Sequence, residues 1–136
     1  MESIKGKKNF EILSLMKCNL NFSQIEILLK QIPTLPNLKN LNLGENEFNK
    51  NANSLLVNTI RSLGKLISIA LNNNNIGKDG IWNLFTVLKN LKFLKEIYIP
   101  NNNMTDWVPH ELATKMANNF LELTHLNVCG NNFTTQ

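Results

Sequence analysis

Apolar residues recur along this chain with a period too long for a single helix or strand. The pattern L-x-x-L-x-L-x-x-N/C-x-L, with other apolar residues allowed at the leucine positions, starts near residues 10, 38, 66, 94 and 123. Successive copies therefore begin 28, 28, 28 and 29 residues apart. A fixed period of about 20–50 residues is the signature of stacked repeats. The sequence predicts a single repeat domain over residues 1–136, in which residues 1–9 form an N-terminal tail.

Each unit has a strand half and a helix half. The alternation of Leu41 and Leu43 is typical of a strand with one buried face, whereas the spacing of Gly80, Leu84 and Leu88 is typical of one helix face. We expect strands at 13–15, 41–43, 69–71, 97–99 and 126–128, and helices at 24–32, 51–63, 79–90 and 108–119. Ser23, Asn51 and Asp79 are residue types that favour helix N-caps, and Ser23 to Glu26 matches a capping box.

The strand and helix halves together define the fold class. Strands joined by helical crossovers must be parallel, and such crossovers are right-handed. Neighbouring strands lie about 4.8 Å apart, whereas packed helices need about 8–10 Å. The helix side must therefore fan out. The sequence predicts an α/β fold: a right-handed solenoid of about five repeats, with a parallel sheet on the concave face and helices on the convex face.

Asparagines occupy one column of the repeat, at Asn46, Asn74, Asn102 and Asn131, and Cys18 takes their place in the first copy. A side-chain amide both donates and accepts hydrogen bonds. Stacked once per repeat, these amides can satisfy backbone groups of the turns that would otherwise be buried without partners. We interpret the column as structural and expect no ligand there.

These residues resemble the ribonuclease-inhibitor-like class of leucine-rich repeats. The 28-residue period, the N/C position and the helix half at Gly80, Leu84 and Leu88 carry the resemblance over roughly residues 10–133. It implies a leucine-rich-repeat horseshoe that binds proteins in the cytoplasm. Similar repeats occur in activators of small GTPases and in effectors that bacteria deliver into host cells. The abundance of Asn, Lys and Ile favours the effector type, which would place the protein in the cytoplasm of a host cell.

Charge and cysteine content narrow the function classes. The net charge is +4, spread thinly, so we expect no nucleic-acid partner. Cys18 and Cys129 lie in the first and last repeats, too far apart for a disulfide, which fits a reducing compartment. The chain has neither a run of about 20 apolar residues nor a secretory signal, so we expect no membrane partner.

Catalytic and metal-binding patterns are missing from the sequence. His110 and His125 are not at ligand spacing, neither cysteine belongs to a C-x-x-C pair, and no phosphate-binding glycine loop occurs. We expect no enzyme activity, no cofactor and no metal.

The remaining candidates are side chains that point out of the concave sheet. Tyr98 is a large side chain among small neighbours, which suits an interface anchor; the alternative is a surface tyrosine without a partner. Trp107 lies on the rim, where it extends the site or instead folds over a neighbouring repeat. The predicted partner-binding residues are Asn42, Asn72, Glu96, Tyr98, Trp107, His125 and Asn127.

The first hypothesis for function is a protein–protein interaction module that uses the concave face and adjoining loops. The alternatives are a regulator of a small GTPase, or a fragment of a longer repeat protein with a structural role. The last predicted strand and Phe133 lack a following helix. We therefore also expect weak self-association through terminal strands.

Overall fold

The computed structural model describes residues 4–48, 50–105 and 109–133. Strands and helices alternate along the chain. In order they are β1 (Ile12–Ser14), α1 (Phe22–Gln31), β2 (Asn40–Asn42), α2 (Asn53–Arg61), β3 (Ser68–Ala70), α3 (Gly77–Leu88), β4 (Glu96–Tyr98), α4 (Pro109–Asn119) and β5 (His125–Asn127). Short 3₁₀ turns at Ile32–Thr34 and Lys50–Ala52 follow α1 and precede α2.

The five strands form one parallel sheet in chain order, which confirms the predicted fold class. The residue in the middle of each strand pairs with its repeat equivalent, so that Leu13 lies opposite Leu41, and Leu41 opposite Ile69. Each strand begins one residue earlier than we predicted. The backbone pairing nevertheless continues past the strand ends, since the Leu43 N–H donates to the Ala70 carbonyl at 2.9 Å.

The core lies between the sheet and the helices. The central residues of β1 to β4 are buried, as are the helix residues at the predicted spacing, for example Leu56, Leu84 and Leu88. Burial is weaker in the last repeat, where the central strand residue Leu126 is 36% exposed while its equivalent Ile97 is fully buried. Among the described residues no helix is long and apolar enough to cross a bilayer.

The predicted helix caps were wrong in detail. Helix α1 is capped by Asn21, whose Oδ1 accepts from the Gln24 N–H at 3.0 Å while the Gln24 side chain accepts from the Asn21 N–H at 3.0 Å. Ser23 therefore lies inside the first turn. Asn51 belongs to the 3₁₀ turn before α2, and Asp79 lies in the first turn of α3, which begins at Gly77. The extended backbone at Asn21, with ψ 169°, supplies the geometry that an N-cap needs.

The asparagine column forms a hydrogen-bonded ladder, as predicted. All four side chains are buried. The Oδ1 of Asn74 accepts from the Asn46 N–H at 2.9 Å, and the Oδ1 of Asn131 accepts from the Asn102 N–H at 2.7 Å. Each repeat thus satisfies backbone groups of the repeat before it. Cys18, at the first position, is exposed and its Sγ lies 3.7 Å from the Met16 carbonyl.

Residues on either side of the ladder adopt left-handed backbone conformations. Asn73 and Asn101 have φ of 54° and 53°, and their equivalent in the last repeat, Gly130, has φ of 65°. Asn75 repeats this at φ 51°. Asparagine and glycine tolerate positive φ better than other residues. The run Asn72 to Asn75 therefore contains two turn residues around the buried ladder residue Asn74.

Gly80 sets the spacing between two convex helices. A β-carbon added there would lie 2.8 Å from Cγ of Asn53, closer still to its Nδ2, and against the Ile76 side chain. Asn53 uses that Nδ2 to donate to the Ile76 carbonyl at 3.0 Å. Any larger residue at position 80 would force the side chains of Asn53 and Ile76 to shift.

Candidate functional site

The open face of the sheet is formed by the first and last residues of each strand. In β2, β3 and β4 the central residue is buried and both flanking residues are half-buried, because alternate side chains point to opposite faces. This face carries the variable positions of the repeat, since the central positions belong to the core.

A shallow groove of about 520 Å³ runs across this face. Small side chains form its middle, since Ser68 and Ala70 stand on the central strand β3. Tyr98 and Pro100 bound it toward the last repeat, and Ile12 bounds it at the first. The lining residues are Ile12, Leu13, Ser14, Asn40, Leu41, Asn42, Ser68, Ala70, Asn72, Asn73, Tyr98, Pro100 and Asn127.

Four of the seven residues predicted from the sequence line this groove: Asn42, Asn72, Tyr98 and Asn127. Glu96 and His125 begin β4 and β5 and pair with each other in register, but they lie outside the groove lining. Trp107 lies outside the described residues. The repeat register therefore brings together residues that are 26 to 85 positions apart in sequence.

Tyr98 is the largest side chain that lines the groove. It pairs in register with Ala70 on one side and with Asn127 on the other. Because neighbouring strands lie about 4.8 Å apart, the methyl group of Ala70 leaves one flank of the ring open. The ring is half-buried, so one part rests on the sheet and the other is available to a ligand.

The amide side chains along the groove are oriented by the backbone. Oδ1 of Asn42 accepts from the Gly44 N–H at 3.0 Å, and Oδ1 of Asn127 accepts from the Cys129 N–H at 3.0 Å. Their Nδ2 groups remain as donors, and that of Asn42 lies 3.7 Å from the Met16 sulfur. Asn72 lies over Gly44, where a β-carbon would collide with its side chain. The groove thus presents fixed, neutral hydrogen-bonding groups.

The sequence-based choice of site residues missed the apolar end of the face. Ile12 is 65% exposed and lines the groove, and Met16 is exposed close to Asn42. One signal was present in the sequence, since the equivalents of Ile12 are the polar residues Asn40 and Ser68. An isoleucine at a position that is polar in the next two copies indicates a surface contact rather than core.

The sheet face carries few charges. Glu96 and His125 are its ionisable side chains besides Tyr98 and Cys129, and the Nδ1 of His125 lies 2.9 Å from the Thr124 hydroxyl. Within the described part of the chain, no three His, Cys, Asp or Glu side chains group in a way that could hold a metal ion. This surface is arranged for neutral, directional contacts.

The fold and face define a small solenoid of leucine-rich-repeat type. The C-terminal domain of tropomodulin from Caenorhabditis elegans superposes with a TM-score of 0.76 over 90% of this chain and 75% of its own, at 10% sequence identity. The actin-binding site 2 of leiomodin-1 superposes with a TM-score of 0.72 over 96% of this chain and 74% of its own, at 13% identity. No protein-family model and no curated protein matches the sequence.

These neighbours correct the family predicted from the sequence. The assignment to the ribonuclease-inhibitor-like class, and to a bacterial effector type within it, was wrong, since the similar structures are tropomodulin and leiomodin domains. The physical reason lies in the residues that carried the resemblance. Asn74, Leu84 and Leu88 are buried and serve the ladder and the core. Any short solenoid of this geometry needs such residues, so they identify the architecture and not the family.

Proposed function

We propose that this chain is a protein-interaction module that binds its partner on the sheet face. The observation that carries the proposal is the groove of about 520 Å³ in which Tyr98 stands half-buried beside a floor of small residues. Tyrosines in such surroundings are frequent interface hot spots, because a large rigid side chain is buried at a low cost in conformational entropy. The oriented amides of Asn42 and Asn127 would fix the register of the partner.

The extent of the face limits what it can do alone. Five strands span about 24 Å, and each is about 10 Å long. This gives a few hundred Å², against about 800 Å² per partner in a standard interface. We therefore infer that a tight partner also contacts the rims, and we place Glu96 and His125, at the strand starts, in that outer contact.

Actin is the first partner to test. The support is the likeness in fold to the actin-binding site 2 of leiomodin-1. No feature of the described residues favours a regulator of small GTPases over a binding module. The two exposed free thiols, Cys18 and Cys129, support a reducing and hence cytoplasmic location.

The test measures binding of fluorescently labelled monomeric actin to the whole chain and its variants. Tyr98→Ala should weaken binding at least tenfold, since truncating a hot-spot tyrosine costs about 2 kcal/mol or more. Asn58→Ala, an exposed substitution on α2, serves as the matched control and should leave affinity unchanged. Equal loss in both variants would contradict the placement of the site.

A second experiment tests the binding face independently of the identity of the partner. A photo-reactive phenylalanine replaces Ala70 in the groove or Asn58 on α2, and the chain is irradiated with candidate partners. A discrete cross-linked product from position 70 but not from position 58 supports the sheet face. If actin fails to bind while another partner cross-links at position 70, actin is rejected and the binding face stands.

A further inference from the structure

The turns that lead from α2, α3 and α4 into the strands that follow them lie along one edge of the array. We call residues 61–66, 89–95 and 119–124 the return edge. Two neighbouring turn tips on it carry large apolar side chains in solvent, since Phe93 is 57% exposed and Leu121 is 87% exposed. At the equivalent positions the turn before has Gly64 and Lys65. Apolar side chains this exposed are candidates for a contact.

The return edge also holds the chain's excess of positive charge. It carries five basic side chains and one carboxylate, Glu122, and thus a net charge equal to the +4 of the whole chain. The basic residues are Arg61, Lys65, Lys89, Lys92 and Lys95. None of them takes part in the two ion pairs found among the described residues, Lys30–Glu26 and Lys39–Glu11. The rest of the chain is therefore neutral overall, and its net positive charge lies beside the exposed side chains of Phe93 and Leu121.

A groove of about 220 Å³ adjoins Leu121 on this edge. Its apolar lining comes from Leu91, Leu94, Phe120 and Leu121, and its polar lining from Lys89, Lys92, Asn119 and Glu122. Lys89 also acts on Lys115 of α4, whose pKa is lowered first by desolvation and second by the Lys89 charge. The edge therefore combines two exposed apolar side chains, a groove with a mixed polar and apolar lining, and an excess of positive charge.

We propose that the return edge docks the protein onto an anionic lipid surface, a function separate from partner binding on the sheet face. Phe93 and Leu121 enter the headgroup region, and the surrounding lysines face the lipid phosphates and carboxylates. Nucleic acid would match the charge but offers no apolar phase for an aliphatic side chain such as Leu121. A stretch of acidic peptide matches the charge in the same way, and its carboxylates likewise offer no apolar phase for Leu121. The expectation of no membrane partner rested on continuous segments, whereas these tips lie 28 residues apart.

The test is sedimentation of the whole chain with vesicles of phosphatidylcholine, with and without about 30% phosphatidylserine. Binding should require phosphatidylserine and should weaken between 0.05 and about 0.5 M salt, because salt screens exposed charges. The double variant Phe93→Ser/Leu121→Ser should weaken binding at least tenfold. Lys92→Glu/Lys95→Glu should weaken it more than twentyfold, since each lysine near such a surface contributes about fivefold.

Matched controls lie away from the edge. Ile27→Ser removes an exposed apolar side chain from α1, and Lys17→Glu/Lys78→Glu reverses one charge on the turn after β1 and one in the first turn of α3. Both should retain binding, and far-UV circular dichroism should show every variant folded. Wild-type protein that fails to sediment with anionic vesicles overturns the proposal. So does equal binding of the Phe93→Ser/Leu121→Ser variant, or binding to soluble polyglutamate or DNA that is as tight as to vesicles, since the edge would then recognise charge alone.

Discussion

Removal of one rung of the asparagine ladder should destabilise the fold far more than an ordinary surface substitution. Oδ1 of Asn102 accepts from the Asn74 N–H at 3.2 Å and from the Ile76 N–H at 3.3 Å. Asn102→Ala leaves both buried donors without a partner. Asn102 also donates to the carbonyls of Leu71 and Ile99. These carbonyls keep a hydrogen-bond partner in the variant, because the ladder residues Asn74 and Asn131 donate to them as well. An orphaned buried donor costs about 1–3 kcal/mol, so we expect a loss of about 2–6 kcal/mol.

Equilibrium unfolding in urea, followed by far-UV circular dichroism, measures this loss. The control is Asn58→Ala, which deletes the same chemical group from an exposed helix position and should change the free energy of unfolding by less than about 0.5 kcal/mol. Amide hydrogen exchange adds a local readout, since protection should fall first at the N–H groups of Asn74 and Ile76. A loss below about 1 kcal/mol for Asn102→Ala, or one no larger than for Asn58→Ala, would refute the reasoning.

Two further predictions concern packing and capping. Gly80→Ala should destabilise the protein by about 1–2 kcal/mol, because the new β-carbon collides with Asn53 and this overpacking outweighs the gain in helix propensity. The control is Gly64→Ala, which should be neutral or slightly stabilising because the space around Gly64 is open. Thermal melting of both variants checks this, and equal melting temperatures would contradict it. Asn21→Ala should cost about 1 kcal/mol through loss of the α1 cap, whereas Ser23→Ala should change stability by less than about 0.5 kcal/mol in urea titrations. A larger loss of stability for Ser23→Ala than for Asn21→Ala would indicate that Ser23 caps α1.

The sequence predicted the architecture because its dominant signal is also the dominant physical constraint. Leu41, Ile69 and Ile97 recur every 28 residues, and a strand centre must be apolar to face the core, so the parallel register followed directly. The ladder was predictable for the same reason, since a buried column of amides has few other uses. Both features depend on one residue type at one position in each repeat.

The starts of the helices and the shape of the groove depend on backbone angles and on the assembled sheet, which residue types alone do not specify. Ser23 and Asn21 are both favoured cap types, and the choice between them depends on backbone angles that composition does not report. The polar equivalents Asn40 and Ser68 indicate that Ile12 lies on the open face, but only the assembled sheet shows that it lines the groove. The family assignment failed because it used buried positions, which any solenoid of this period must share.

The weak burial of the last strand has a consequence for how the molecule moves. Repeat arrays are stabilised by contacts between neighbouring units, so opening begins where a unit has the least buried surface. With Leu126 partly in solvent, β5 should open at lower free energy than the strands around Ala70. The side of the groove at Asn127 is therefore more mobile than its floor. A partner that contacts both Tyr98 and Asn127 would slow that opening, and part of its binding free energy would be spent on ordering the fifth repeat.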